Sequence, residues 1–201
     1  MNGKGSPIYT NMSPVMSKFL WNAPEEKVDP QKAKQILEEK KLLPMEFTLK
    51  VPNSSKIYLD TAQSIREQLK DIGITVNLEV IEWATWLSDV YTNRKYVASL
   101  AGLAGKMEPD AILRRYTSTY AKNFTNFNNA RYDMLIEEAK RTSNEAKQVE
   151  NYKEAQKILA EEQAAIFLMD PNTVIATEKG IEGFQFYPLP YLNFAKLYFK
   201  K

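Results

Sequence analysis

The residues best suited to chemistry in this chain are aromatic and small ones, not acid–base pairs. Trp83 and Trp86 stand three positions apart just after an alternating apolar run. On a short helix that spacing puts both indoles on one face, where they either fill a core or offer a flat platform to a sugar or a side chain. A second candidate is Ala101-Gly102-Leu103-Ala104-Gly105. It follows a strand pattern, and ligands of open α/β sheets gather beyond the carboxyl ends of strands, where small residues let a ligand reach the backbone. A tight turn would need the same residues. Phe124, Phe127 and Tyr132, set among Asn123, Asn126, Asn128 and Asn129, form either a polar-aromatic rim or a loop with Asn in its turns.

Catalytic chemistry finds little to work with. The chain has no histidine and no cysteine, which removes the usual neutral-pH base, the commonest transition-metal ligand, thiolate nucleophiles and disulfides. The lack of cysteine is compatible with an oxidising compartment. Glu25-Glu26, Glu137-Glu138 and Glu161-Glu162 all have Lys or Arg nearby, so they read as solvated salt-bridging pairs rather than a glycosidase dyad. No G-x-S-x-G elbow occurs, Gly102 to Lys106 lacks the spacing of a phosphate-binding loop, and no D-x-D-x-D-G cation loop is present. No catalytic pair can be named from these residues, no cofactor or metal is expected, and a carboxylate-dependent enzyme stays open as a rival to non-enzymatic binding.

The 201 residues suit one sizeable domain. The hydrophobic fraction is 44%, and 27 basic against 25 acidic residues leave a net charge of +2. That balance gives no footprint for nucleic acid; the Lys-rich stretch from Lys32 to Lys41 is broken by Glu38 and Glu39 like an exposed helix face. No apolar run approaches the roughly 18 to 20 residues that span a bilayer. Met1-Asn2-Gly3-Lys4-Gly5-Ser6-Pro7 has no hydrophobic segment of a secretory signal.

The elements that must position these residues are legible in the pattern. Residues 1 to 28, with Pro7, Pro14 and Pro24, predict an extended segment pinned to a surface. Asp29 caps a helix with Pro30 in its first position and Ala33, Ile36 and Leu37 as the buried stripe, ending before Pro44. Phe47, Leu49 and Val51 alternate as a strand. Leu59, Ala62, Ile65, Leu69 and Ile72 then recur at helical spacing, Gly73 stops the helix, and Ile74, Val76, Leu78 and Val80 alternate again. Strand 46–51, helix 55–72 and strand 74–80 form a βαβ unit with parallel strands and a right-handed crossover. A short helix over 83–92 and a strand over 97–100 follow. Helices are predicted over 111–116 and 132–140, then a long one with a Thr142/Glu145 capping box and a face of Val149, Tyr152, Ala155, Gln156, Ile158 and Leu159. Ala165–Met169 and Thr173–Thr177 read as short strands around an Asp170-Pro171-Asn172 turn. The tail from Phe184 to Phe199 is aromatic-rich, with Pro188 and Pro190.

In wording as well as pattern, Ala62-Gln63-Ser64-Ile65-Arg66-Glu67-Gln68-Leu69-Lys70-Asp71-Ile72-Gly73-Ile74-Thr75-Val76 followed by Glu82-Trp83 resembles the C-terminal lobe of the oligopeptide, dipeptide and nickel family of solute-binding proteins that feed ABC importers. Four further segments agree in order. Asp29 to Leu37 is similar to the family's D-P-x-K-A-x-x-L-L helix, and Glu108-Pro109-Asp110 to its acidic-Pro-Asp turn. Asn126 to Ile136 resembles N-x-x-x-(F/Y)-D-x-L-I, and Thr142 to Ile158 the T-x-x-x-x-R-x-x-x-Y-x-x-A-Q-x-I helix, with Lys147 or Gln148 where arginine is common. The resemblance covers about residues 6 to 201. It implies an α/β fold, one lobe of a type II periplasmic-binding-protein-like architecture with a mixed sheet flanked by helices. Residues 1–44 would be the lead-in and first helix, 45–183 the ligand-binding lobe, and 184–201 a tail returning to the other lobe. It also implies an N-terminal lobe and signal upstream, an extracytoplasmic location, a membrane permease as partner, and domain closure around a small solute.

Peptide-binding members carry G-W-x-x-D ahead of the acidic-Pro turn, the aspartate pairing with the peptide's α-ammonium. The matching run here is Ala101-Gly102-Leu103-Ala104-Gly105, without either anchor. A wider pocket follows, for a larger or uncharged ligand such as an oligosaccharide, or for a peptide held differently. The expected ligand contacts are Trp83, Trp86, Ala101 to Gly105 and Phe127. Two rivals remain at this point: a carboxylate-dependent hydrolase, and an interaction module that self-associates through the aromatic tail.

Overall fold

The computed structural model describes residues 5–24, 27–187 and 192–200. Glu25, Glu26, Pro188 and Pro190 lie outside these residues, so the readings placed on them rest on sequence alone. The chain opens with β1 (Gly5–Pro7) and a single 3-10 turn, and then enters α1 (Pro30–Glu39). As the sequence predicts, Asp29 accepts from the Lys32 amide and Pro30 begins the helix. Its stripe is shallower than predicted, because Ile36 is exposed and no residue of α1 is buried.

The βαβ unit forms as read: β2 (Met45–Pro52), α2 (Lys56–Lys70) and β3 (Ile74–Ile81). Ser55 caps α2, and Gly73 turns the chain at φ +88°, a region that costs a side chain strain. β2 and β3 pair in parallel from Met45 opposite Ile74 to Pro52 opposite Ile81. After the short helix α3 (Trp83–Thr85) the chain widens into a π-helix over Trp86–Thr92, where an ordinary helix is predicted. β4 (Ala98–Ser99) then joins β2, also in parallel, giving the order β3-β2-β4. Leu49, Val51, Ala62, Ile74 and Val76 form the core between this sheet and α2.

The second half is helical: α4 (Pro109–Leu113) runs into a 3-10 turn ending at Tyr116, followed by α5 (Ala130–Arg141) and α6 (Glu145–Glu161). The Thr142/Glu145 capping box does not form. Asn144 caps α6 by accepting from the Lys147 amide, while Thr142 closes α5 and accepts from the Asn144 amide. Tyr132, Leu135, Ile136 and Ala139 of α5 pack on Tyr152, Ala155, Ile158 and Leu159 of α6. Met12 of the lead-in sits wholly inside this core, and Thr10 is buried beside it, so the first segment is pinned to the helices at these two residues. Gln156, fully buried, holds it: its Oε1 accepts from Thr10 Oγ1 (3.1 Å) and the Trp21 amide (3.2 Å), and its Nε2 donates to the Phe19 carbonyl (2.7 Å) and the Tyr152 carbonyl (2.9 Å).

The Asp170-Pro171-Asn172 turn is also corrected. Asp170 and Pro171 belong to β5 (Met169–Pro171), which pairs antiparallel with β1, and 173–177 form no strand. β6 (Ile181–Glu182) pairs antiparallel with β7 (Tyr198–Phe199). The class is α/β, with parallel and antiparallel strands in separate sheets flanked by helices. No helix among the described residues is long and apolar enough to cross a membrane.

Candidate functional site

Because β2, β3 and β4 run parallel, their carboxyl ends at Pro52, Ile81 and Ser99 open on one edge of the sheet. Three segments leave from that edge: the start of α2, the Trp83 helix and the loop from Leu100 to Glu108. The edge is knitted together locally. The Asn53 amide donates to the Ile81 carbonyl (2.9 Å), and Asn53 Nδ2 donates to Glu82 Oε1 (2.6 Å).

Trp83 and Trp86 stack face to face, centroids 5.0 Å apart and planes 4° from parallel. The shared face read from their spacing is real, but the two rings have different duties. Trp86 is 1% exposed. Its Nε1 donates to Ser99 Oγ (2.9 Å), and Ser99 Oγ donates in turn to the Lys50 carbonyl (2.9 Å), which pins the helix to β4 and β2. Trp83 lies over it and is 38% exposed. Trp86 is therefore a buried support whose faces and N–H are occupied, and Trp83 is the ring with surface left for a ligand.

Phe124 completes the aromatic cluster, meeting Trp86 edge-on at 5.8 Å and Tyr91 at 5.4 Å. Phe127 goes elsewhere: it packs perpendicular to Tyr132 at 5.5 Å against the helical core. The loop carrying both is fixed by Asn123, 4% exposed, whose Nδ2 donates to the carbonyls of Thr117 (3.1 Å) and Phe127 (2.8 Å). Tyr96 Oη donates to the Phe124 carbonyl (2.6 Å), and burial pushes the Tyr96 phenol up in pKa against the opposing pull of Arg94. Sequence reading named Phe124, Phe127, Tyr132 and Asn123 but not the division between them, and it passed over Tyr91 and Tyr96.

In the loop, Ala101 is half-buried while Gly102 to Gly105 are exposed. Two contacts hold it. Arg115 Nη2 donates to the Ala104 carbonyl (3.1 Å). At Gly102, a Cβ would lie 2.7 Å from the Tyr58 hydroxyl, so Tyr58 already occupies the space a side chain there would need. Tyr58 had drawn no notice in the sequence, where it reads as one more residue in the first turn of α2. Among the described residues, no group of three or more His, Asp or Glu side chains could hold a metal ion.

An aromatic face and an exposed small-residue loop thus lie together at the carboxyl edge of a parallel sheet, where ligands of open α/β proteins gather. Residues 1–124 match the model of the bacterial extracellular solute-binding proteins, family 5 Middle, and the chain belongs to that family. It is 28% identical over 210 aligned positions to the oligopeptide-binding protein AppA of Bacillus subtilis, covering 94% of this chain and 38% of AppA. The solved structure of Bacillus subtilis AppA in complex with a nonapeptide superposes with a TM-score of 0.84 at 27% identity, over 100% of this chain and 44% of that one. The periplasmic binding protein DppA of Helicobacter pylori, solved with the peptide STSA, shares the fold at a TM-score of 0.85 and 22% identity, over 100% of this chain and 40% of that one. The chain thus spans about two-fifths of the length of these relatives. The family is one of solute capture, not catalysis, which agrees with the non-enzymatic reading.

Proposed function

We propose that this chain is the C-terminal lobe of an extracytoplasmic solute-binding protein that captures oligopeptide-like solutes for an ABC importer. The observation that carries the reading is the half-exposed Trp83 ring backed by buried Trp86 at the open edge of the sheet, beside the 100–108 loop. Peptide as the ligand is supported by what the similar AppA is named for and by the nonapeptide in its structure. In the reading, residues 45–183 form the lobe, residues 1–44 lead into it, and residues 184–201 return toward an N-terminal lobe.

The mechanism is closure. This edge supplies one wall, the other lobe supplies the second, and the closed form is what docks on the permease. Trp83 offers a stacking face, Trp86 and Phe124 hold it rigid, and the backbone of 101–105 is open to a peptide main chain. Phe127 acts through the helical core rather than by contact. A single wall buries little of a ligand, so the isolated lobe binds weakly.

Gly105 brings no carboxylate to pair with a peptide ammonium, so recognition of a free amino terminus is not built into this loop. That leaves side-chain and main-chain contacts to carry affinity. The test is native mass spectrometry of the complete protein against peptide and oligosaccharide pools. The proposal expects retained peptides and near-equal affinity for an N-acetylated series. Retention of oligosaccharides alone would replace the ligand, and loss of affinity on acetylation would refute the ammonium argument. In the isolated chain the exposed tail aromatics Phe186, Phe194 and Phe199 are the surface for self-association, which deleting residues 185–201 would abolish in sedimentation runs.

A further inference from the structure

We propose that Tyr58 is a specificity-determining residue of this site, setting the size of the ligand side chain accepted over Gly102. The inference rests on the peptide-binding reading and deepens it.

Tyr58 stands in the first turn of α2, three residues past its Ser55 cap, so it starts from the same carboxyl edge as Trp83 and the loop. Its ring is half-buried, and it leans on the loop backbone: the Cβ position of Gly102 would lie 2.7 Å from Tyr58 Oη, 3.3 Å from Cε1 and 3.4 Å from Cζ. Such an approach is closed to any residue but glycine while the phenol stays where it is. Gly105, three residues on, has nothing within 4 Å of its own Cβ position. The loop therefore has one floored position and one open position, and the floor is an aromatic ring delivered from α2.

The hydroxyl makes no hydrogen bond to another described residue. An unpaired Oη held at an exposed glycine backbone presents a donor and a rigid ring edge to whatever lies over Gly102. Rigid aromatic walls limit side-chain size because the ring has few ways to yield, and its removal opens a volume that only a large ligand side chain fills.

The experiment uses the complete protein and two peptide series that differ only in alanine or tryptophan at each position in turn. Tyr58→Ala is expected to raise the tryptophan-to-alanine affinity ratio about tenfold at one position, and Tyr58→Phe, which keeps the ring, to hold that ratio within about threefold of the unmodified protein. A ratio that moves less than twofold at every position, in a protein that binds peptide, overturns the proposal and leaves the peptide reading standing. If the unmodified protein binds neither series, the peptide reading fails and takes this one with it. The packing is checked separately by melting temperature. Gly102→Ala lowers it in the unmodified background and much less in the Tyr58→Ala background; equal losses in both would show that Tyr58 does not crowd the Cβ position of Gly102.

Discussion

Trp83→Ala and Trp86→Ala, three residues apart in one short helix, are expected to fail in opposite assays. Trp86 is 1% exposed, stacks on Trp83, meets Phe124 at 5.8 Å and donates to Ser99. Truncating a fully buried Trp to alanine costs about 3–5 kcal/mol in cavity and lost contacts. The broken hydrogen bond adds about 1 kcal/mol, since Ser99 keeps its bond to Lys50. The slope grows with chain size, and at about 2–3 kcal/mol per molar of urea the combined loss of about 4–6 kcal/mol should lower the unfolding midpoint by roughly 1.5–3 M. Trp83→Ala gives up the stacked pair, about 0.5–1.5 kcal/mol, and the burial of a ring already 38% exposed, about 2 kcal/mol more, so its midpoint shift should be roughly 1 M, smaller than that of Trp86→Ala. In peptide titrations of the complete protein the weight moves to Trp83. Removing the exposed ring should weaken binding about tenfold or more, as loss of an aromatic anchor does. Equal midpoint losses in the two variants would refute the division of duties. Peptide affinity of Trp83→Ala within twofold of the parent would refute the ligand role.

Two further outcomes follow from the helical core. Gln156→Leu keeps the volume but strands the Trp21 amide and the Phe19 carbonyl; it should cost about 2–4 kcal/mol in urea unfolding and speed proteolysis around residues 9–21, and a loss under 1 kcal/mol would show the clamp to be dispensable. Burial pushes Tyr116 up to about 12, against a weaker pull from Arg115, and burial also pushes the Tyr132 phenol well above its usual range. Below pH 10 both folded and unfolded chains hold these protons, so that stability is fully present; between pH 10 and 12 the unfolded chain gives them up first, and stability falls, by roughly 2–3 kcal/mol for Tyr116 alone. A tyrosinate titration at neutral-to-alkaline pH should show two phases, the later one coinciding with unfolding, whereas all 11 tyrosines ionising together near pH 10 would contradict the burial.

What the sequence made legible was local. Asp29 with Pro30, the α2 stripe, Gly73 and the alternation of β3 each satisfy their own neighbours, so pattern and structure coincide. What it hid was long-range or competitive. Asp170-Pro171 looks like a turn until Gly5–Pro7, far away in sequence, offers a strand to pair with. Thr142 and Asn144 both suit an N-cap, and the geometry of the α5–α6 corner gives the cap to Asn144. The Trp83/Trp86 spacing revealed a shared face but not which ring lies beneath, because a period of three carries no depth. Phe124 and Phe127 could not be separated either, since their allocation depends on Asn123 gathering the carbonyls of Tyr116, Thr117 and Phe127.

The site has a consistent construction once those allocations are known. Residues 101–105 contain nothing larger than Leu103, so the loop cannot fix itself by its own side chains. It is instead placed from two sides, by Arg115 on the Ala104 carbonyl and by Tyr58 against Gly102. Both supports come from other segments: α2 begins where β2 ends, and Arg115 follows α4, whose Leu113 and neighbouring Tyr116 are anchored in the helical core. The sheet core thus presents the loop and the helical core steadies it. A backbone held in this way can lie close to a ligand's main chain while side-chain preference is set by rings attached elsewhere, Trp83 on one strand end and Tyr58 on another. If the proposed binding role holds, changing ligand preference requires substitutions on α2 or the Trp83 helix, and leaves the 101–105 loop as bare backbone.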